Sequence, residues 1–309
     1  MKTNKDFLSI TDLSAKEIWQ IFLMAKKLKK QKKNKQLLKD KQMVLLFEKP
    51  SLRTKLSFDI AMSQLGGHTV YFGPQEVGMG KRESIVDVAK VISSMADLIV
   101  ARVFSHKDLE QLAQNSKVPL INALSDLEHP CQALADFLTI LEIKDKLEGL
   151  TLAYLGDGEN NVTHSLALGC ALLGINFKCA SPKGFWMKKE VVKQAKQLAA
   201  KTKANIFETD DPEEAVKDTD IVYTDTWISM GDERQQEKRL KIFKPFQVNQ
   251  QLMKLSKKDA IFMHDLPAYR GNEVAEEVID GAQSVVFQQA ENRLYAQKAL
   301  LLFLLIRNH

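Results

Sequence analysis

Short apolar runs alternate with helix-period stretches from one end of this chain to the other. Met43-Val44-Leu45-Leu46 leads through the polar turn Glu48-Lys49-Pro50-Ser51 into Leu56-Ser57-Phe58-Asp59-Ile60-Ala61-Met62, which has a helical pattern. The same order then recurs. It predicts strands at 42–47, 68–72, 97–103 and 119–123, with helices at 55–64, 83–95 and 107–115 and a long helix from about His129 to Lys144. Further strands are expected at 150–155, 177–180, 205–208, 221–224, 260–264 and 284–287. Helices are expected at 162–173 and 188–202, with a last one at 290–306. Strands and helices alternating at this spacing pair as parallel sheets whose crossover helices cover both faces. The expected fold class is therefore α/β, with two domains, each a parallel sheet with helices on both faces, joined by long helices. A length of 309 residues allows two such domains. The boundary falls near 145–149, which gives domains at 1–146 and 147–289 and a C-terminal helical segment at 290–309.

Composition sets outer limits on function. Hydrophobic residues make up 45% and charged residues 27%, an ordinary soluble globular balance. The longest apolar stretch, 299–306, is too short to cross a bilayer, and the first residues lack a signal-peptide apolar core. Cys131, Cys170 and Cys179 form no CxxC pair and no zinc set, so a reduced, cytoplasmic, metal-free protein is expected. Nine lysines lie between Lys26 and Lys41 and read as a solvated helix end and loop. They have no interleaved aromatic residues and no recognisable module, so neither nucleic acid nor membrane is expected as a partner. At most the run helps to draw in anionic substrates.

Several segments carry chemistry. Phe47-Glu48-Lys49-Pro50-Ser51-Leu52-Arg53-Thr54-Lys55 joins a strand to a helix start, where free backbone N–H groups, hydroxyls and a guanidinium suit a phosphate. His129-Pro130-Cys131-Gln132 places Pro at a helix start, with Gln132 one turn along from His129. Arg102 ends an apolar strand. Leu155-Gly156-Asp157-Gly158-Glu159 has the look of a dinucleotide-binding turn but lacks the third glycine, which disfavours a nicotinamide dehydrogenase. Taken singly, Ser51, Thr54 and His129 are ordinary caps, and Arg102 and Asp225 are ordinary strand-end residues.

Together with Asp225-Thr226-Trp227-Ile228-Ser229-Met230-Gly231 and His264-Asp265-Leu266-Pro267, the segments at 47–55 and 129–132 resemble the carbamoyltransferase family, its ornithine branch most closely. The resemblance covers most of the chain in the family's order. It implies transfer of a carbamoyl group from carbamoyl phosphate to the δ-amine of L-ornithine, giving citrulline and phosphate for arginine synthesis. It also implies a site between the two domains and a last helix packed back on the first. Ser51, Leu52 (through its backbone), Arg53 and Thr54 would hold the phosphate. Arg102 and His129, assisted by Thr54, would meet the carbonyl oxygen, and Gln132 would accept from the carbamoyl NH2. Arg293 and Leu266 complete the carbamoyl phosphate set. Asn161 and the Met230 N–H would take the ornithine carboxylate, and Asp225 and Ser229 its α-ammonium. The catalytic groups so implied are Arg102, His129, Gln132, Asp265 and Arg293. The segment 77–84, with Gly78, Lys81 and Arg82, matches a region that reaches a neighbouring subunit in many members, which implies a homotrimer or a multiple of trimers.

The family motif at 264–267 is normally His-Cys-Leu-Pro, and here Asp265 replaces the cysteine beside the reacting amine. A carboxylate there favours the protonated amine, which opposes attack, yet it could also accept a proton as general base. Two alternatives follow from that residue: a catalytically weak relative that binds carbamoyl phosphate or an amino acid, and an enzyme with another acceptor such as putrescine. Lys55 also stands where many members have Arg, keeping the charge without the fork.

Overall fold

The computed structural model describes residues 5–31, 35–76, 78–80, 82–228 and 236–306. The chain divides into two compact units, Met1–Leu138 with Glu291–His309 and Thr139–Ala290.

The first unit opens with helix α1 (Ala15–Lys30), whose start is fixed by reciprocal bonds between Ser14 and Glu17. There follow β1 (Gln42–Phe47), α2 (Leu52–Gln64), β2 (His68–Phe72), α3 (Ile85–Met95), β3 (Leu98–Arg102), α4 (His106–Asn115) and β4 (Leu120–Leu124), and the chain leaves this unit within α5 (Pro130–Lys144). Ser51, Ser84 and Ser105 each cap the helix that follows by accepting a backbone N–H three residues on. The four strands are all parallel, in the order β2-β1-β3-β4. Strands β1 and β3 are buried almost throughout, which is why they read as continuous apolar runs. Val44, Leu46, Ile99, Leu109 and Leu112 belong to the core on one face.

The second unit continues with β5 (Thr151–Leu155), α6 (Asn161–Leu173), β6 (Asn176–Ala180), α7 (Lys189–Thr202), β7 (Ile206–Thr209), α8 (Pro212–Val216) and β8 (Ile221–Thr224). It ends with α9 (Gln236–Phe243), α10 (Gln250–Met253), β9 (Ile261–Met263) and α11 (Glu276–Ile279), before α12 (Val286–Ile306) carries the chain back into the first unit. Its five strands are also all parallel, in the order β7-β6-β5-β8-β9. In both sheets the strand order reverses direction, beside β1 in the first and beside β5 in the second. Right-handed crossovers on either side of such a reversal place helices on opposite faces and open a crevice at the carboxyl ends of the strands. The segments 48–51, 103–105, 156–160, 225–228 and 264–267 all leave those ends.

One expectation fails. Residues 284–287 form no strand: Ser284 makes a single parallel bridge to Phe262, the Val285 N–H reaches the Phe262 carbonyl, and α12 begins at Val286, four residues earlier than the sequence pattern placed it. Among the described residues no helix is long and apolar enough to cross a membrane.

Candidate active site

In the first unit the end of β3 is tied to the turn after β1. Phe47 pairs with Arg102, and the Glu48 N–H donates to the Arg102 carbonyl at 2.8 Å. The turn that leads to Ser51 is thereby tied to the Arg102 main chain, and the Arg102 side chain is buried. Ser51 Oγ accepts the Thr54 N–H at 3.3 Å, and the first turn of α2 leaves N–H groups with no carbonyl of their own helix to meet. Leu52 is 76% exposed, so its side chain points away from the cluster. The Lys55 ammonium lies 3.5 Å from the Tyr71 ring centroid, so the residue that replaces the family's arginine is held by a cation–π contact.

Arg293, buried on α12, donates to Thr54 Oγ1 at 3.2 Å and to Gln132 Oε1. Gln132 in turn donates through Nε2 to Asp136 at 2.8 Å. With its amide oriented to satisfy both ends, Gln297 accepts from Arg293 at 2.9 and 3.1 Å. The guanidinium is thus fixed from three sides. His129 is buried, and burial first, then the charges of Arg293, Arg102 and Arg53, hold its pKa well below the usual 6.5. It is therefore a neutral imidazole at neutral pH. Cys131 donates to the Asn122 carbonyl at 3.3 Å, and burial pushes its thiol up to about 12, so it packs without acting as a nucleophile.

The second unit assembles a different set. Asn160 caps α6 through Oδ1, 2.7 Å from the Val162 N–H, and donates through Nδ2 to Asp225 Oδ2 at 2.7 Å. Its amide is committed at both ends, and half-buried Asn161 is the next residue along. Asp225, His264 and Asp265 bring one ligand-type atom each within 4.8 Å of one another. Asp265 does stand beside Asp225, as the motif implied. His264 is fully buried: Nδ1 accepts the Leu266 N–H at 2.9 Å, Nε2 faces Glu273 Oε1 at 3.2 Å, and its own N–H donates to Gln289 at 2.9 Å. Leu266 adopts a left-handed backbone with φ 60°. In the same unit, Arg239 donates to Asp157 and, at 2.6 Å, to the Trp227 carbonyl, so a buried ion pair anchors the 225–228 segment. Burial raises the Asp157 carboxyl while the Arg239 guanidinium opposes that shift.

The glycine-bearing turn serves packing. A Cβ on Gly158 would lie 2.5 Å from the Phe185 carbonyl oxygen and 2.9 Å from the Met187 nitrogen. The chain's own 185–187 segment therefore occupies the place where a dinucleotide fingerprint brings its pyrophosphate close. Gly78 likewise permits a tight turn, since the Arg82 and Glu83 N–H groups both return to its carbonyl. Arg82 is exposed and donates to the Glu76 carbonyl at 3.1 Å. Ser229, Met230 and Lys81 lie outside the described residues.

The structure thus groups Ser51, Arg53, Thr54, Arg102, His129, Gln132 and Arg293 in the first unit, and Asn161, Asp225, Asp265 and Leu266 in the second. Sequence reading passed over Asp136, Gln297, Asn160, Glu273 and the Asp157–Arg239 pair. Two of them had a signal: Asp136 and Gln297 each follow a site residue by four positions, one helical turn, on α5 and α12.

Comparison with known proteins gives a similar division, except that Arg293 and the rest of the returning helix fall within the second match. The family model described as the aspartate/ornithine carbamoyltransferase carbamoyl-P binding domain matches residues 5–142, and the one for the Asp/Orn binding domain matches 148–304. An ornithine carbamoyltransferase of Anoxybacillus flavithermus is 49% identical over 304 residues, covering 97% of this chain and 96% of the relative. One from Methanosarcina acetivorans is 50% identical, covering 97% and 99%. The solved ornithine carbamoyltransferase of Pyrococcus furiosus superposes with a TM-score of 0.95 at 48% identity, covering 98% of this chain and 97% of that one. The anabolic enzyme of Campylobacter jejuni gives 0.92 at 40%, covering 97% and 98%. Matched by the family's models through both units and by relatives of about half identity over nearly its whole length, this chain belongs to the aspartate/ornithine carbamoyltransferase family.

Proposed function

We propose that this chain transfers the carbamoyl group of carbamoyl phosphate to the δ-amine of L-ornithine, giving L-citrulline and phosphate. The observation that carries the reading is the Arg293 guanidinium fixed to Thr54 and Gln132 beside a neutral, buried His129. A phosphate ester needs anion donors, and Ser51, Arg53, Thr54, Arg293 and the backbone N–H groups of the α2 start supply them. As the amine attacks, charge develops on the carbonyl oxygen. Arg102, Thr54 and the neutral imidazole of His129 stabilise it in the manner of an oxyanion hole. Gln132 Oε1, whose second lone pair remains beside the Arg293 bond, and the Leu266 carbonyl accept from the carbamoyl NH2. The new C–N bond forms, the bond from carbon to the phosphate oxygen breaks, and the amine loses a proton.

Asn161 and the Met230 N–H take the ornithine carboxylate, Asp225 and Ser229 its α-ammonium, and Asp265 faces the reacting amine. Arginine synthesis in the cytoplasm fits this activity, and no metal or organic cofactor enters it. A homotrimer or multiple of trimers is the working assembly. Exposed Leu52, Leu56, Val91 and Met95 on α2 and α3 supply apolar surface for subunit contact, with the 78–83 turn nearby in sequence.

The test is citrulline formation measured with ornithine, putrescine and N-acetylornithine side by side. Turnover of ornithine well above the other two is expected, and absence of citrulline from ornithine refutes the proposal.

A further inference from the structure

The His264–Glu273 pair has no part in the reaction as proposed above, and both side chains are essentially inaccessible to solvent. Its hydrogen bonds nevertheless fix one tautomer. The Leu266 N–H points at Nδ1, 2.9 Å away, so Nδ1 must accept. The ring proton of the neutral imidazole therefore sits on Nε2 and is donated to Glu273 Oε1 at 3.2 Å. The Tyr269 N–H donates to the same carboxylate oxygen, and the His264 N–H is held by Gln289, whose Nε2 donates to Tyr223 at 3.1 Å. With ring, main chain and acceptor all tied down, Nδ1 faces the two residues that follow it. It holds the Leu266 N–H directly, and it lies 3.5 Å from Asp265 Oδ1.

We propose that Glu273 is a positioning residue for the carbamoyl-transfer reaction. By accepting the Nε2 proton of His264 it keeps Nδ1 an acceptor, and so holds the Asp265–Leu266 arm in its left-handed conformation with the Asp265 carboxylate beside Asp225. The other tautomer would put the single ring proton on Nδ1, where it opposes the Leu266 N–H, and would leave Nε2 with no proton to donate to Glu273, so the hold on Leu266 and on the neighbouring Asp265 would be lost. This rests on the reading of Asp265 and Leu266 as substrate-facing. Asn161 and Asp225 leave other strands, so the arm can be disturbed while amino-acid binding persists.

Ring-15N-histidine spectra of the full-length protein report the tautomer directly, with the His264 signal among the six histidines assigned by its loss in H264Q. The native protein is expected to show Nε2–H at His264, and a proton on Nδ1 overturns the inference without any variant. Glu273→Ala should shift His264 toward Nδ1–H and lower kcat/KM for ornithine about 10- to 100-fold, the loss of one charge-assisted bond, mainly in kcat. Glu273→Gln keeps an acceptor oxygen and should keep both the tautomer and, within about threefold, the activity. An E273A enzyme with the native tautomer, or with a switched tautomer and unchanged kcat/KM, overturns the positioning role. Asp265→Asn, run in parallel, separates the two readings. If it lowers kcat while E273A does not, only the role of Glu273 fails. If neither matters, the assignment of the arm itself fails.

Discussion

Replacing Asp265 with Cys restores the family motif and removes one of two neighbouring carboxylates. Oxygens of Asp225 and Asp265 lie within 4.8 Å of each other, and the Asp265 side chain keeps 13% of its exposure. A unit charge pair at about 4 Å is worth about 1 kcal/mol in water and about 4 kcal/mol at an effective dielectric of about 20. On an ammonium held at that distance this amounts to about 0.7 to 3 pK units. A side chain with some solvent contact, in a field that Asp225 also supplies, belongs toward the lower end. The expected shift is therefore about one unit. An anion favours the protonated amine, so removing it lowers the amine's pKa and moves the acid limb of the rate profile to lower pH. The assay is initial-rate citrulline formation against pH at saturating carbamoyl phosphate, for parent and D265C. If Asp265 instead takes the proton as general base, the plateau falls by about a hundredfold or more and the limb stays. Thiol reagents supply an independent reading, because all three native cysteines are buried and a thiol at 265 would be the accessible one. An unchanged limb, plateau and reagent sensitivity would refute the placement of residue 265 at the reacting amine.

Three further outcomes are expected. Arg53→Ala should weaken carbamoyl phosphate binding by about 10- to 100-fold, the loss of a charge-assisted contact. Ornithine binding should change little, and titration calorimetry showing unchanged phosphate affinity would contradict the cradle. Asp225→Ala should lower kcat/KM for ornithine far more than for putrescine, which has no α-ammonium, and equal losses for the two amines would count against its role. The pKa of His129 is lowered on folding, so between its folded value and 6.5 the unfolded chain binds a proton that the folded chain does not. Stability should therefore fall as pH drops below about 6.5. Thermal melts of His129→Gln should show a shallower acid decline than the parent, and parallel declines would remove His129 as the cause.

Most of the sheet framework was legible because central parallel strands are buried on both faces. The runs at 42–47 and 98–102 are apolar throughout, and length alone distinguishes them from buried helix. The same rule misled at 284–287, where Val285, Val286 and Phe287 make a short apolar run that serves one bridge and then a helix start. Site residues were legible where several stand together after a strand end, as at 51–54 and 264–266. Their supports were not. Arg239 lies 82 positions from its partner Asp157, and Glu273 is a polar residue in a connecting segment. Such pairings are fixed by tertiary packing, and nothing local in the sequence marks them. Lys55 was read only as a loss of the arginine fork, and its contact with Tyr71 emerges from the position of β2 beside β1.

The return of α12 to the first unit has a consequence for the order in which the chain can mature on the ribosome. Residues 1–138 are made first, yet Arg293, with its bonds to Thr54 and Gln132, and Lys298, with its bond to Gln64 at 2.7 Å, are made last. At about 5–20 residues per second, roughly eight to thirty seconds separate Leu138 from those contacts. The second unit is contiguous and needs no such wait. During that interval the nascent first unit carries four strands, α2 and half of α5, but neither the guanidinium nor the helix that completes it. The half of the molecule that emerges first is therefore completed only after the second unit has been made, and its phosphate cluster comes into being only then.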